Sequence, residues 1–385
     1  MIKGKDQTYA RDSNMKAVFS LLSEEELSYS ELANKIGLSK PAMTNITSEM
    51  FRLNLIKQAE KCDDSKNTLG RKRSYLTINP LSAIVGAIDF STVTIQIRIA
   101  DMAGNTIIQR LLPDSEFVTE EVLDKIVVLM NEMLSEPVLE GRQLLAIGLA
   151  VSAMINKDTG KIIKAPKFEP CKNIDLCEYF SSMFHCITQI KNDVNLALLS
   201  EHRSGKLKGV HNAVLLYVDS GIGGAILMDD KVREGEHGFA GELGLLTIAQ
   251  ENEINYLDDI CSINAIKRAI GKNGGSPMLP EHFRFRDVKN AYLSGDESVI
   301  KCVDESARLL SLIIRNLCRV LDCSKVIISG RVRLLGENYL KKLSKAEDDY
   351  EVSFTQLGDD GPIVGAVYEA VQSALTIIIR NRNDR

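Results

Sequence analysis

The sequence predicts an α/β protein that opens with a winged helix-turn-helix domain and continues into a body of two similar lobes. Three observations carry that prediction. Residues 28–55, SYSELANKIGLSKPAMTNITSEMFRLNL, hold two amphipathic helical segments around a tight turn. Behind them, a strand, a polar loop and a second strand follow, with Gly70, Arg71, Lys72 and Arg73 at the second strand's start. From Ala83 onward strands and helices alternate, and a strand ending in Asp, a turn and a returning strand occur twice. That weak internal repeat is what a duplicated nucleotide-binding fold of two lobes would leave.

In the front segment Leu32, Ala33 and Ile36 recur at helical spacing, and Gly37 and Leu38 turn the chain. Ser39 is placed to cap a second helix that carries Met43, Ile46, Met50 and Leu53 on its inner side. Lys40, Thr44, Asn45 and Thr47 are then left facing outward, residue types that meet phosphates and base edges in a major groove. A plain helical hairpin would show the same pattern. The segment behind it, IKQAEKCDDSKNTLGRKRSYLTINP, favours the winged helix, with Arg71, Lys72 and Arg73 on the DNA backbone or minor groove. Charge agrees with this division: residues 1–80 carry a net +3 and the remainder −8. The excess is small, so it supports the division without making it.

The chain has 385 residues, enough for two or three domains with real cores. Its first residues, MIKGKDQTYARDSN, are polar and show no signal-peptide pattern, and no apolar run approaches the roughly 18 residues of a membrane span. A cytoplasmic protein with no membrane partner is expected. Its eight cysteines form no CxxC pair, which fits reduced thiols rather than a metal or disulfide framework.

The body's elements follow from Asn79-Pro80, where the wing strand ends. IVGAIDF, TIQIRIADM and TIIQRLL read as three strands, with Ala103-Gly104-Asn105 as a hairpin turn. A helix over Val118–Leu134, the strand LLAIGLAVS, a helix near Leu176–Phe184 and the strand ITQIKND come next. The second unit opens with NAVLLYVD, turns through Ser220 to Gly224 into AILMDD, and later shows a buried strand, VIISG. The apolar helix SARLLSLIIRNLCRVL suits either the core or self-association.

These residues resemble the ROK family of sugar kinases and sugar-responsive repressors. The resemblance rests on GRKRSYLTINP, KNDVNLALLSE, VDSGIGGAI, GEHGFAGELG and GPIVGAV, five motifs in the family's order across nearly the whole chain. It implies an actin-like, ribonuclease-H-type ATPase fold of two lobes behind the winged helix. The head is similar to the family's repressor branch, of the xylose- or N-acetylglucosamine-repressor kind. The domains expected are then 1–80 for the head, 83–192 plus 365–385 for the first lobe, and 193–364 for the second, with an effector pocket at the lobe interface.

Departures from the family pattern bear on cofactors. Where a ROK kinase has Asp-x-Gly-Gly-Thr beneath the ATP phosphates, this chain has Asp89-Phe90-Ser91-Thr92-Val93-Thr94, whose side chains take space the phosphates need. The Ser220–Gly224 turn survives, either as a phosphate turn or as a tight hairpin. Ser329-Gly330-Arg331 keeps one glycine of a usual pair. ATP binding is therefore expected to be lost. Leu245 stands where the family's zinc-binding His would be, and Cys261 stands alone, so no zinc is expected.

The resemblance places Asn192, Asp193, Glu242 and Asp258 in a sugar site, with His237 either a ligand contact or a loop residue. In a kinase, Asp193 would be the general base that deprotonates the sugar hydroxyl. Without ATP it can still accept sugar hydrogen bonds, or it can simply cap the helix that follows. The expectation is a non-enzymatic repressor of carbohydrate-use genes that binds a two-fold double-stranded DNA operator as a homodimer or dimer of dimers. A sugar effector would control it through the Leu76–Ser82 linker. The alternatives are an active sugar kinase with a DNA-binding head, or a regulator that answers to a protein partner.

Overall fold

The computed structural model describes residues 7–60, 74–113, 115–157, 159–250, 253–345 and 348–383. At the front, α1 (Gln7–Leu22), β1 (Leu27–Ser28), α2 (Tyr29–Ile36), α3 (Lys40–Arg52), β2 (Ile56–Gln58) and β3 (Tyr75–Ile78) form a small domain. Ser28 opens α2 with a capping box: its Oγ accepts from the Glu31 N–H, and the Glu31 carboxylate accepts from the Ser28 N–H at 2.8 Å. Gly37 ends α2 in the left-handed region at φ 75°, and the Ser39 Oγ accepts from the Ala42 N–H to start α3. Met15, Val18, Phe19 and Leu22 of α1 are buried together with Leu32, Met43 and Met50. The strands pair in the order β1-β3-β2, with Leu27 opposite Leu76 and Ile56 opposite Ile78. The front domain thus sets three helices beside a three-stranded antiparallel sheet. The basic wing residues Arg71, Lys72 and Arg73 lie outside the described residues.

Thr47 does not face outward as the helical spacing suggested. It is fully buried, and its Oγ1 donates to the Met43 carbonyl at 2.8 Å, so the hydroxyl is satisfied within the helix.

The body's first part holds β4 (Ile84–Asp89), β5 (Ile95–Asp101), β6 (Thr106–Leu112), α4 (Glu120–Leu134), β7 (Leu144–Val151), β8 (Met154–Ile155), β9 (Ile162–Lys164), α5 (Leu176–Phe184) and β10 (Ile187–Asn192). Next come α6 (Asp193–Ser204), β11 (Ala213–Val218), β12 (Ile222–Met228), β13 (Lys231–Val232), β14 (Thr247–Gln250) and β15 (Glu253–Tyr256). The chain ends through α7 (Leu257–Cys261), α8 (Ile263–Lys272), α9 (Phe285–Leu293), α10 (Glu297–Leu321), β16 (Lys325–Ser329), α11 (Glu337–Leu340), β17 (Glu351–Phe354) and α12 (Gly361–Arg380).

Two compact units divide the chain. One comprises residues 1–149, 170–190 and 366–385, so it includes the front domain; the other comprises 150–169 and 191–365. The stretch expected to be one lobe, 83–192, is thus interrupted, because the β8–β9 hairpin belongs with the second unit. The first unit's sheet runs β10-β7-β4-β5-β6 and the second's β13-β12-β11-β16-β17. Counted from its own first strand, each sheet has the order 3-2-1-4-5, so the weak sequence repeat is a structural one. In the second unit Val214, Leu216 and Val218 pack with α7–α11, while Ala213 and Leu215 face Val194, Ala197 and Leu198 of α6. Burial on both faces explains why β11 reads as a continuous apolar run. On α10, Val299, Val303, Ala307, Leu310 and Ile314 are core residues.

Gly358–Arg380 corrects one expectation: this stretch is long and apolar enough, with a mean hydropathy of 1.6, to pass for a membrane span. Two-thirds of it (67%) is buried, as in the core helix of a folded domain.

Candidate functional site

Asn192 and Asp193 stand at the junction of β10 and α6 in the second unit. Asn192 is the helix cap, its Oδ1 accepting from the Val194 and Asn195 N–H groups at 2.9 and 3.0 Å. Its Nδ2 donates to the Ala153 carbonyl at 3.2 Å. The capping role open to Asp193 therefore falls to its neighbour. Asp193 is buried and accepts from the Ser152 hydroxyl and from the Val194 N–H. Burial pushes its carboxyl above the usual range, while hydrogen bonds from Ser152 and Val194 and the charge of Lys167 pull it back.

Glu242 reaches the same neighbourhood from the loop before the short 3-10 turn Leu243–Leu245. It is half-buried, and burial and then the like charge of Asp193 push its carboxyl up, against an opposing pull from Lys164. The glycines of GEHGFAGELG let this loop pack closely. At Gly238 (φ 89°) a Cβ would sit 2.1 Å from the Ile155 carbonyl, and at Gly241 (φ 93°) 2.5 Å from the Gly224 carbonyl. Lys157 donates to the Gly235 carbonyl at 2.7 Å and pins the loop's start.

Asp193 and Glu242 are close enough for one charge to act on the other, and in each an oxygen can accept from a hydroxyl while a protonated one can donate. Tyr217, whose phenol is pushed up by burial and then by the charges of Asp219 and Asp193, stays protonated. Ser152 and Tyr217 were not legible in the sequence, since only strand pairing brings them near α6. Glu201, the last residue of KNDVNLALLSE, is buried for a structural reason: its carboxylate accepts from Thr355 Oγ1 and from the Gln356, Leu357 and Lys206 N–H groups.

Asp258 holds the β11–β12 turn, accepting from the Ile222 N–H at 2.5 Å. His237 is exposed, its ring centroid 6.4 Å from that of Phe239. Neither is drawn by a described hydrogen bond into contact with Asp193 or Glu242.

The two nucleotide-type turns differ from their sequence reading. Phe90 was expected to occupy phosphate space, but its side chain is wholly buried in the core, and Asp89 turns back to accept from the Ser91 N–H at 2.8 Å. No residue from Asp89 to Thr94 has a positive φ. In the second turn a Cβ on Gly223 would meet Val194 Cγ2 at 2.9 Å, and one on Gly224 would meet Leu243 Cδ1 at 2.4 Å and the Gly241 carbonyl at 2.8 Å. Close packing therefore accounts for these glycines. The turn's Asp219 is clamped by Arg331, whose Nε lies 2.9 Å from both carboxylate oxygens and whose backbone N–H adds a bond at 3.0 Å. Leu245 is exposed, and Cys261 is buried with its thiol 3.6 Å from the Ser306 carbonyl.

A second candidate surface lies on α3. Lys40, Thr44 and Asn45 are exposed as expected, and Ser48 and Arg52 extend their stripe at helical spacing. Thr44 Oγ1 donates to the Lys40 carbonyl at 3.0 Å. Ser39, beyond its cap, sits exposed at the helix start. Asn45, Ser48 and Arg52 also line a shallow groove of about 660 Å³ with Arg11 and Asn14 of α1.

Duplicated lobes of order 3-2-1-4-5 place the body in the actin-like, ribonuclease-H-type class. Within that class, the ROK family's sequence signature matches residues 85–372, and the chain belongs to the ROK family. It is 23% identical over 392 aligned residues to a xylose repressor of Caldicellulosiruptor bescii, covering 93% of this chain and 94% of that protein. It is 24% identical over 308 residues to a glucokinase of Halalkalibacterium halodurans, covering 72% of this chain and 92% of the kinase. Among solved structures, a ROK family transcriptional regulator described as a homologue of the E. coli Mlc protein superposes with a TM-score of 0.80 at 19% identity, over 96% of this chain and 99% of that one.

Proposed function

We propose that the protein is a transcriptional regulator, a repressor of carbohydrate-use genes that binds operator DNA through its winged helix and responds to a sugar held at Asp193 and Glu242. The observation that carries this reading is the exposed stripe Lys40, Thr44, Asn45, Ser48 and Arg52 on a capped helix ahead of the carboxylate cluster. Its residue types suit base edges and phosphates, and the stripe is long enough to lie along a major groove. The likeness to a xylose repressor covers head and body alike, which makes a pentose the first effector to try. Such a regulator works at DNA in the cytoplasm, without zinc and without ATP.

The rival reading, a sugar kinase with a DNA-binding head, draws on the glucokinase relative. Against it stand the Asp219–Arg331 clamp and the packed glycines at the turn a nucleotide would need. The test is a gel shift on the gene's own upstream DNA, titrated with a panel of sugars that includes D-xylose. A shift that a sugar relieves or deepens is the expected result, and Asn45→Ala should weaken the complex by about 1–3 kcal/mol. ATP-dependent phosphorylation of a sugar, abolished by Asp193→Asn, would establish the kinase instead.

A further inference from the structure

Glu49 lies on α3, the helix that carries the exposed stripe, yet only 6% of its side chain is exposed. Three guanidinium groups surround it: Arg11 of α1, Arg52 one turn on at 3.8 Å, and Arg382 at 3.6 Å. Arg382 comes from the short 3-10 segment Asn381–Asn383 that follows α12, and 9% of its side chain is exposed. It also pairs with Asp12 of α1. One buried cation thus touches α1 and α3 and fastens them to the end of α12. A buried charge persists only where it is paired, and Arg's planar fork can serve two carboxylates at once where Lys offers a single point.

We propose that Arg382 is a positioning residue for DNA reading: it seats α3 through Glu49 and Asp12 and does not itself touch DNA. Asn45 and Ser48 lie within about one turn of Glu49, so a loosened seat blurs the groove-facing stripe. Reading bases requires side chains held to about 0.5 Å, a tolerance a frayed helix does not meet. This inference rests on the DNA-binding reading above for its consequence, but its structural half can be measured without DNA.

The experiment compares full-length wild type with Arg382→Ala and Arg382→Lys. Amide hydrogen exchange is followed in peptides covering α1, α3 and α10, and affinity for the upstream DNA is measured across a salt series. In Arg382→Ala, exchange should quicken by about tenfold in α1 and α3 and stay unchanged in α10. DNA affinity should fall by about tenfold with the same salt slope, and the Lys variant should lie between. A salt slope reduced by about one would make Arg382 a phosphate contact and overturn the proposal. So would unchanged exchange in α1 and α3. If wild type binds no upstream DNA, the regulator reading fails, and the exchange data still decide whether Arg382 seats the helix.

Discussion

Asp193 shows how one side chain's environment sets its behaviour. Its carboxyl is nearly inaccessible, receives hydrogen bonds from Ser152 and Val194, and is held above its ordinary pKa chiefly by burial. The folded protein therefore holds that proton more tightly than the unfolded chain does. The resulting stabilisation is fully present below the ordinary carboxylate pKa and is lost as the pH rises through the raised value. At neutral pH the buried charge is a net burden on the sugar-free protein. Asp193→Asn keeps an oxygen for Ser152 and removes the charge, so its melting temperature should exceed wild type at pH 7–8, with the gap closing toward pH 4. Sugar affinity by calorimetry should fall by about 10- to 100-fold, the scale of hydrogen bonds to a charged group. A variant that melts no higher at pH 8, or binds sugar as well as wild type, would refute this. Asp193 and Glu242 were singled out in the sequence by the family resemblance and not by their spacing. Arg331's bond to Asp219 stayed hidden because the two lie 112 residues apart and are brought together only by the parallel pairing of β11 with β16.

Among the elements, the β11–β12 hairpin separates packing from ligand binding. Its glycines look like a phosphate turn in sequence, but Gly224 is where Leu243 and the Gly241 backbone come closest. Gly224→Ala should cost about 1–3 kcal/mol in chemical denaturation, because the Gly241 carbonyl is backbone and cannot swing aside. Gly221→Ala, whose Cβ would face the Asp258 carboxylate at 3.0 Å, should be milder. Equal losses at the two positions would argue against the packing explanation. Elements with a clear period were legible: the helix over Leu176–Phe184 and the β4–β5–β6 meander came directly from their patterns. The helix α1 was missed, because Met15, Val18, Phe19 and Leu22 make an apolar stripe only along its second half. The strand β1 is two residues long, too short for any alternation to show, and finds its place only by pairing with β3. Thr47 was misplaced because β-branched polar residues fit either side of a helix once the hydroxyl bonds back to its own turn.

For the molecule as a whole, the proposed DNA-binding role predicts a two-fold assembly, because one winged helix reads too few base pairs for specificity across a genome. Light scattering at micromolar concentration should give a dimer or a pair of dimers. A monomer that binds one short asymmetric site tightly would contradict this. The two-lobed plan was visible as a repeat, but the assignment of residues 150–169 to the second unit was not, since it depends on where the β8–β9 hairpin packs and not on its own composition. The Arg382–Asp12 pair joins residues 370 positions apart. On a ribosome, α1 emerges well before Arg382 and lacks its clamp while the intervening residues are made, a delay of roughly 20–70 s at ordinary translation rates. A chain cut short by a stop codon or clipped by a protease near residue 380 would release the head from that clamp. Such a fragment would keep α1 and α3 but lose the cation that ties Asp12 to Glu49.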